Sequence, residues 1–269
     1  MIFDTHCHAY WSGLEARHEA IRSRMDAENV VRSVQVGTDW DTNQKALAVA
    51  RRWGANTWCA AAMHPTTCQN MPAASADEWT RRLETFIVEN RDKVVAVGET
   101  GLDYYHLVKK RRSAQKEVQR AFFIAHAELA QRLNLPLVIH TRDAAADTVK
   151  LIVENRIRNA VIHCFSEDSE FARTLCAWSD GIYFSFSGIL TYRTATQVQD
   201  AARFLPLDRI LVETDAPFLV PEIAKGQLDL NEPGCTRYVM DFLKKLRPEP
   251  ENVVEQTVWM NSNRFFGIE

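Results

Sequence analysis

His6 and His8 stand two apart in the run Asp4-Thr5-His6-Cys7-His8. On an extended strand that spacing puts both imidazoles on one face, where they can grip one metal ion. The same residue types recur at the ends of other apolar runs. Glu99 follows Val94-Val95-Ala96-Val97-Gly98, and His140 follows Pro136-Leu137-Val138-Ile139. His163 follows Val161-Ile162, and Asp215 follows Ile210-Leu211-Val212-Glu213-Thr214. His64 ends the third run. Packing alone would set apolar residues at such points, so these positions read as a ligand set converging on one place. Six ligands (His6, His8, Glu99, His140, His163, Asp215) exceed the three or four that a single catalytic zinc uses. Two divalent ions about 3.5–4 Å apart, sharing one carboxylate, absorb the surplus. Imidazole-rich sites suit Zn, Mn or Fe better than Mg, and the ligands alone do not choose among the four.

These ligands span residues 6 to 215, so the elements carrying them must bring distant segments together. Eight apolar runs read as parallel strands: Ile2–Asp4, Val31–Val36, Thr57–Met63, Val94–Val97, Leu137–Ile139, Ala160–Ile162, Ile182–Ser185 and Ile210–Glu213. The segments between them read as helices. In one, Val118, Phe122, Ala125, Leu129 and Leu133 recur at helical spacing, facing away from Lys116, Gln119, Arg120 and Glu128. Asn134 and Pro136 mark its end. Other helices are expected to start near Asp77, Asp143, Asp168, Thr194 and Thr236, all N-cap residue types. A last helix, about Pro250–Phe265, would pack outside. Eight strands alternating with helices predict an α/β fold, a single (β/α)8 TIM barrel spanning residues 1–269 with an extra C-terminal helix. Two ordinary domains would also suit the length, but a split near the middle would separate the ligands. Three long loops follow strands: Thr66–Ala76, Gly101–Lys110 and Ala216–Gly234. In a barrel such loops gather on the catalytic face.

Composition narrows the partners. Hydrophobic residues make 46% and charged residues 25% of the chain, which disfavours disorder. The net charge of −3 gives no broad positive field for long nucleic acid. Contact with phosphate must then be local or pass through metal ions. No apolar run reaches membrane-spanning length, and the N-terminus does not read as a signal peptide. Six scattered cysteines without a Cys-x-x-Cys pair read as free thiols of a reducing compartment, so a cytoplasmic location is expected. No obligate protein partner is evident.

Several motifs resemble one family. They are His6-Cys7-His8, Gly98-Glu99-Thr100-Gly101-Leu102-Asp103-Tyr104-Tyr105, Ile139-His140-Thr141-Arg142-Asp143-Ala144, His163-Cys164-Phe165, Phe184-Ser185-Phe186-Ser187-Gly188 and Glu213-Thr214-Asp215-Ala216-Pro217. Together they look like the TatD family of metal-dependent hydrolases, within the amidohydrolase-like barrels. The resemblance runs from the first strand to Asn261–Phe266. It implies a TIM barrel, a binuclear divalent-metal site and hydrolysis, with deoxyribonuclease activity, often 3′–5′ exonuclease. By the family's pattern His6 and His8 would hold one ion with Asp215, Glu99 would bridge, and His140 and His163 would hold the second. One position departs: Ala62 stands where the family usually has glycine, two residues before His64-Pro65.

Two divalent ions would supply a water that loses its proton near neutral pH. Asp215 would take that proton and pass it to the leaving oxygen, or act as a ligand only. Glu99 and Asp215 are therefore the catalytic candidates. Substrate contacts are expected from Arg142, as a phosphate clamp or in a pair with Asp143 or a helix carbonyl. Tyr104 or Tyr105 could stack on a base, and His64 could orient a ligand or touch phosphate. Asn231 and Glu232 read as substrate-contacting or loop-fixing. Lys109-Lys110-Arg111-Arg112 reads as a solvated helix start or a steering patch, and Lys225 is a further cationic candidate. His18, His106 and His126 read as solvated, and Cys7 and Cys164 as buried barrel residues. The expected substrate is a DNA strand end or another phosphodiester. A small-molecule ester, lactone or amide is the alternative substrate, and a non-catalytic binding protein on the same scaffold is the alternative class.

Overall fold

The computed structural model describes residues 1–268. Eight strands run in parallel in the order of the sequence: β1 (Ile2–Cys7), β2 (Val30–Val36), β3 (Thr57–Ala61), β4 (Val94–Asp103), β5 (Leu137–Arg142), β6 (Ala160–Ile162), β7 (Ile182–Phe186) and β8 (Ile210–Val212). The seam between the first and last is closed just beyond β8. The His8 amide donates to Ala216 O at 2.8 Å, and the Asp215 amide to His6 O at 2.9 Å. The architecture is the expected TIM barrel.

The helices are α1 (His18–Ala27), α2 (Trp40–Trp53), α3 (Pro65–Cys68), α4 (Ala76–Glu89), α5 (Arg112–Leu133), α6 (Ala145–Glu154), α7 (Ser169–Trp178), α8 (Thr196–Phe204), α9 (Thr236–Leu246) and α10 (Glu251–Phe266). Asn134 ends α5 in the left-handed region, as its type suggests. Of the five expected caps only Asp168 acts as one, accepting from the Phe171 amide at 2.9 Å. At the other four starts the residue ahead of the first turn is Ser75, Ala144, Ala195 or Cys235, and none of these caps with its side chain. A different cap is clear at α2, where Asp39 and Thr42 bond reciprocally.

Two apolar layers divide the molecule. The larger fills the space between strands and helices. The smaller draws residues from all eight strands, including Phe3, Val34, Ala60, Ala96, Val138, Val161, Tyr183 and Leu211. It fills the barrel interior, and Phe265 and Phe266 of α10 close its lower end. The core is thus solid below and leaves the C-terminal mouth to polar side chains. Among the described residues no helix is long and apolar enough to cross a membrane.

Two irregularities aim the ligands. Pairing of β1 with β2 slips between Asp4 and Cys7. Strict alternation from inward Phe3 would turn Cys7 inward, yet Cys7 packs in the outer layer while His6 and His8 face the mouth. β4 is longer than expected, running on through Glu99 to Asp103, and its pairing with β5 slips between Val97 and Thr100. Gly98 and Gly101 flank this slip. A Cβ on Gly98 would lie 2.4 Å from Val138 Cβ, and one on Gly101, at φ +138°, would lie 2.0 Å from His140 O. Only glycine permits the backbones to approach this closely.

Candidate metal centre

His6 and His8 leave β1 with their Nε2 atoms 3.3 Å apart. Both face Asp215 Oδ1, at 3.7 and 3.4 Å. His6 Nε2 also lies 3.3 Å from Glu99 Oε2. The other oxygen of Glu99, Oε1, faces His163 Nε2 at 2.8 Å, His140 Nδ1 at 2.9 Å and His64 Nε2 at 3.2 Å. Glu99 therefore stands between two groups of ring nitrogens. Three overlapping sets of ligand atoms result: His6, His8 and Asp215; His6, Glu99 and His163; His64, Glu99 and His140. All six expected ligands meet here, and His64, expected to orient a ligand or touch phosphate, lies against Glu99 itself.

The outward ring nitrogens test whether this set suits a cation. His8 Nδ1 lies 2.6 Å from Val36 O, so it carries the proton and donates it. His140 Nε2 lies 3.1 Å from Asp103 Oδ2 and donates likewise. A ring held neutral in this way would turn a lone pair towards the facing carboxylate oxygen of Asp215 or Glu99. Lone pair against carboxylate repels unless a cation or an extra proton stands between them. The donor set of imidazoles and carboxylates is one that binds divalent transition metals, and the residues fit such ions.

The same geometry sets the acidities. Burial opposes the ionised form of Glu99, yet His163, His64 and His140 together hold it well below the usual carboxylate range. Burial works against Asp215 too, and the hydrogen bond from His8 with the nearby His6 and His163 rings lowers it below its ordinary value. Burial alone would lower His163, but Glu99 and Glu213 raise it well above. Both carboxylates are thus ready to ligate as anions.

A second layer, absent from the expected site residues, holds the ligands. Asp103 at the end of β4 is buried and accepts from His140 and from the half-exposed His106, whose Nδ1 lies 2.9 Å away. Gln119 on α5 grips Asp103 by its backbone, accepting from its amide and donating to its carbonyl, both at 2.9 Å. The apolar periodicity of α5 placed Gln119 on the solvent side, but it is fully buried. Glu213 accepts from the Cys164 amide at 2.7 Å and lies 3.4 Å from His163 Nδ1. The signal for Glu213 was present, since a charged residue closes the β8 apolar run. Asp4 fixes Thr214, next to Asp215, by accepting from its amide and its hydroxyl at 2.8 and 2.7 Å.

The residues expected to contact substrate have different surroundings. Tyr104 is 5% exposed, its hydroxyl donates to Asp147 and Lys116 lies against its ring, so it braces the loop. The exposed ring is Tyr105, at 60%. The Arg142 guanidinium lies over it, 4.0 Å from the ring centre, and has no ion pair with Asp143 among the described residues. Asn231 and Glu232 are buried and fix the loop after β8. Asn231 donates to Thr214 O, and Glu232 pairs with Arg17 and Arg24. The Lys109–Arg112 run is exposed, and Lys225 is paired with Glu222. Ala62, the departure from the family pattern, is held by Asn43 through both its amide and its carbonyl.

Two of the three histidines expected to be solvated are buried, while His106 is half exposed. His126 is buried against the Thr100 hydroxyl, and His18 is buried on Ala9 O. Cys7 is buried as expected, whereas Cys164 is only partly so, with Sγ 3.2 Å from Ser187 Oγ.

A parallel eight-stranded barrel with imidazoles and carboxylates converging at its C-terminal mouth is the architecture of a barrel metal-dependent hydrolase. The family model described as TatD related DNase matches residues 3–267. The chain is 35% identical over 275 residues to the uncharacterized metal-dependent hydrolase YcfH of Escherichia coli K12, covering 100% of this chain and 96% of that one. It is 33% identical over 270 residues to the uncharacterized metal-dependent hydrolase YabD of Bacillus subtilis, covering 100% of both. The crystal structure of YJJV, a TatD homolog from Escherichia coli K12, superposes with a TM-score of 0.89 at 26% identity, over 100% of this chain and 98% of that one. This chain belongs to the TatD family of metal-dependent hydrolases.

Proposed function

We propose that the protein is a deoxyribonuclease of 3′–5′ exonuclease type that hydrolyses phosphodiesters with two divalent ions. The observation that carries this reading is the division of Glu99. Its Oε2 faces the His6 group and its Oε1 faces His140, His163 and His64. A carboxylate with ring nitrogens on both sides is suited to bridge two cations. His6, His8 and Asp215 would hold one, and His140 and His163 the other. When bound, such ions supply an acidified water and neutralise charge on phosphate.

The chain's own groups provide the rest. Asp215 is the proton acceptor, because its side chain keeps 14% exposure while the other carboxylate, Glu99, keeps 5%. Asp103 and Glu213 orient the rings of His140 and His163. Arg142, exposed on β5 just beyond His140, is the cation available to a phosphate at the mouth. The net charge of −3 fits an enzyme that meets phosphate at one place rather than along a surface. A cytoplasmic location belongs to the same reading, supported by six free cysteines.

The test is end-labelled single-stranded DNA beside a small carboxylic ester, each with Zn, Mn or Mg added. Stepwise shortening from the 3′ end is expected, with Glu99→Ala and Asp215→Asn folded and at least 1000-fold slower. Cleavage of the ester alone would move the substrate to small molecules. Full activity in either variant would refute the two-ion assignment.

A further inference from the structure

Two aromatic rings stand exposed at the rim of the candidate centre, and nothing in the reading above uses them. Phe218 is 43% exposed and Trp11 39%. They pack edge to face, with centroids 5.2 Å apart at 73°. Phe218 also lies against the His8 ring, with centroids 6.2 Å apart. The pair is therefore continuous with a candidate ligand, on the face where the strands end.

The backbone holds Phe218 in this place firmly. Its amide donates to Asp215 O at 2.9 Å. The residue before it is pinned by the Asn231 amide, which donates to Pro217 O at 3.0 Å. The residue after it, Leu219, sits at φ +57°, a conformation that costs free energy for a branched side chain. Gly188 leaves room for the Leu219 carbonyl, since a Cβ there would lie 1.9 Å from that oxygen. Single exposed apolar residues are ordinary on a protein surface. Two aromatic rings packed together from two loops, the one carrying Phe218 held by buried Asn231 and lying beside a ligand imidazole, are a built feature.

We infer that Trp11 and Phe218 form a shelf on which the terminal nucleobase of a single strand stacks while its phosphodiester lies at the metal centre. This rests on the phosphodiesterase reading and names the part of the substrate that reading left open. A phosphodiester seated among His6, His8 and Asp215 carries its base one sugar away. Tyr10 and Phe218 both lie against His8, and of these Tyr10 is buried and Phe218 is exposed, so the flat surface open to a base is the Phe218 ring. Stacking accepts any base, since every base has a π face, so the shelf gives grip on a strand end without sequence choice.

The test is equilibrium binding by fluorescence anisotropy, with zinc present. The probes are a 5′-labelled tetradeoxyadenylate with hydrolysis-resistant phosphorothioate linkages and the same tetramer ended at its 3′ side by an abasic residue. Wild type is expected to bind the base-ended probe about tenfold more tightly. Phe218→Leu and Trp11→Leu, which keep apolar volume and lose the ring, are expected to reduce that ratio to about threefold or less. The same ratio in wild type and both variants overturns the shelf. So does a wild type that binds the two probes alike, or binds neither. Hydrolysis of the unmodified tetramers answers the other question. A wild type that cleaves neither with any metal sinks the nuclease reading, and the binding ratio still judges the shelf.

Discussion

Asp103 is the most informative residue to change, because it touches the proposed centre only through His140. It is buried, and its Oδ2 accepts from His140 Nε2 at 3.1 Å. Asparagine keeps the shape and one acceptor but removes the charge. A hydrogen bond to a charged acceptor contributes about 1.5–3 kcal/mol, and one between neutral groups about 1 kcal/mol. Asp103→Asn should therefore weaken the hold on His140 by about 1 kcal/mol, roughly fivefold in metal affinity. Asp103→Ala removes the acceptor and leaves the buried His140 N–H unmet, which should cost between about 10-fold and 100-fold, the range for groups that orient metal ligands. His106→Ala is the control. The ring is half exposed and shares Oδ2 of Asp103 with His140, which keeps its acceptor when the ring is removed, so its loss should change affinity by less than about threefold. The assay is competition for zinc between the metal-free protein and a coloured chelator, with far-UV circular dichroism recorded for each variant. Equal zinc affinity in wild type and Asp103→Ala would refute the positioning role. Weaker affinity together with a lost helical signal would show that Asp103 supports the fold instead.

Other outcomes follow from single contacts. Gly101→Ala should lower stability by about 3 kcal/mol or more, since its φ is +138° and the added carbon would meet His140 O at 2.0 Å; an unchanged urea midpoint would contradict this. Burial lowers His126 to about 3. The unfolded ring takes its proton near 6.5, so the folded state loses stability as pH falls from there towards 3 and keeps it all above 6.5. At pH 5.5 wild type should have lost about 1.4 kcal/mol more than His126→Leu, relative to pH 7.5, and parallel losses in urea melts would show that the ring is not held neutral. Chelation should abolish hydrolysis and leave the far-UV signal intact, because the apolar core is large without any ion; a collapse of that signal on adding chelator would disprove it.

Much of the site was legible because its signals are local. A histidine at i and another at i+2 on one strand share a face whatever the rest of the chain does. A polar residue that closes a buried apolar run is visible as a break in pattern, and His6, His8, Glu99, His140, His163 and Asp215, which the fold brings together, are all of this kind. The eight alternating units were visible for the same reason, since strand and helix differ in period. Helix starts were less so. Asp, Ser and Thr are common near them, and only geometry decides which side chain reaches back to an amide, as Asp168 does.

The sequence alone determined residue types, their spacing and the number of units, and with them a barrel carrying metal-type ligands on several strand ends. Tertiary structure decided which neighbours those residues have. Tyr104 and Tyr105 are adjacent in the chain, and packing against Asp147 and Lys116 buries the first while the second stays in solvent. Gln119 turned from the expected wet face to a clamp on Asp103, 16 residues away. Glu213 and Cys164 meet across 49 residues. The slips in β1 and β4 that turn His6, His8 and Glu99 inward exist only as mismatches between paired strands. The physical reason is common to all of these. Facing within one strand is set by the covalent chain, whereas depth, register and hydrogen-bond partners are set by packing against segments far away in sequence.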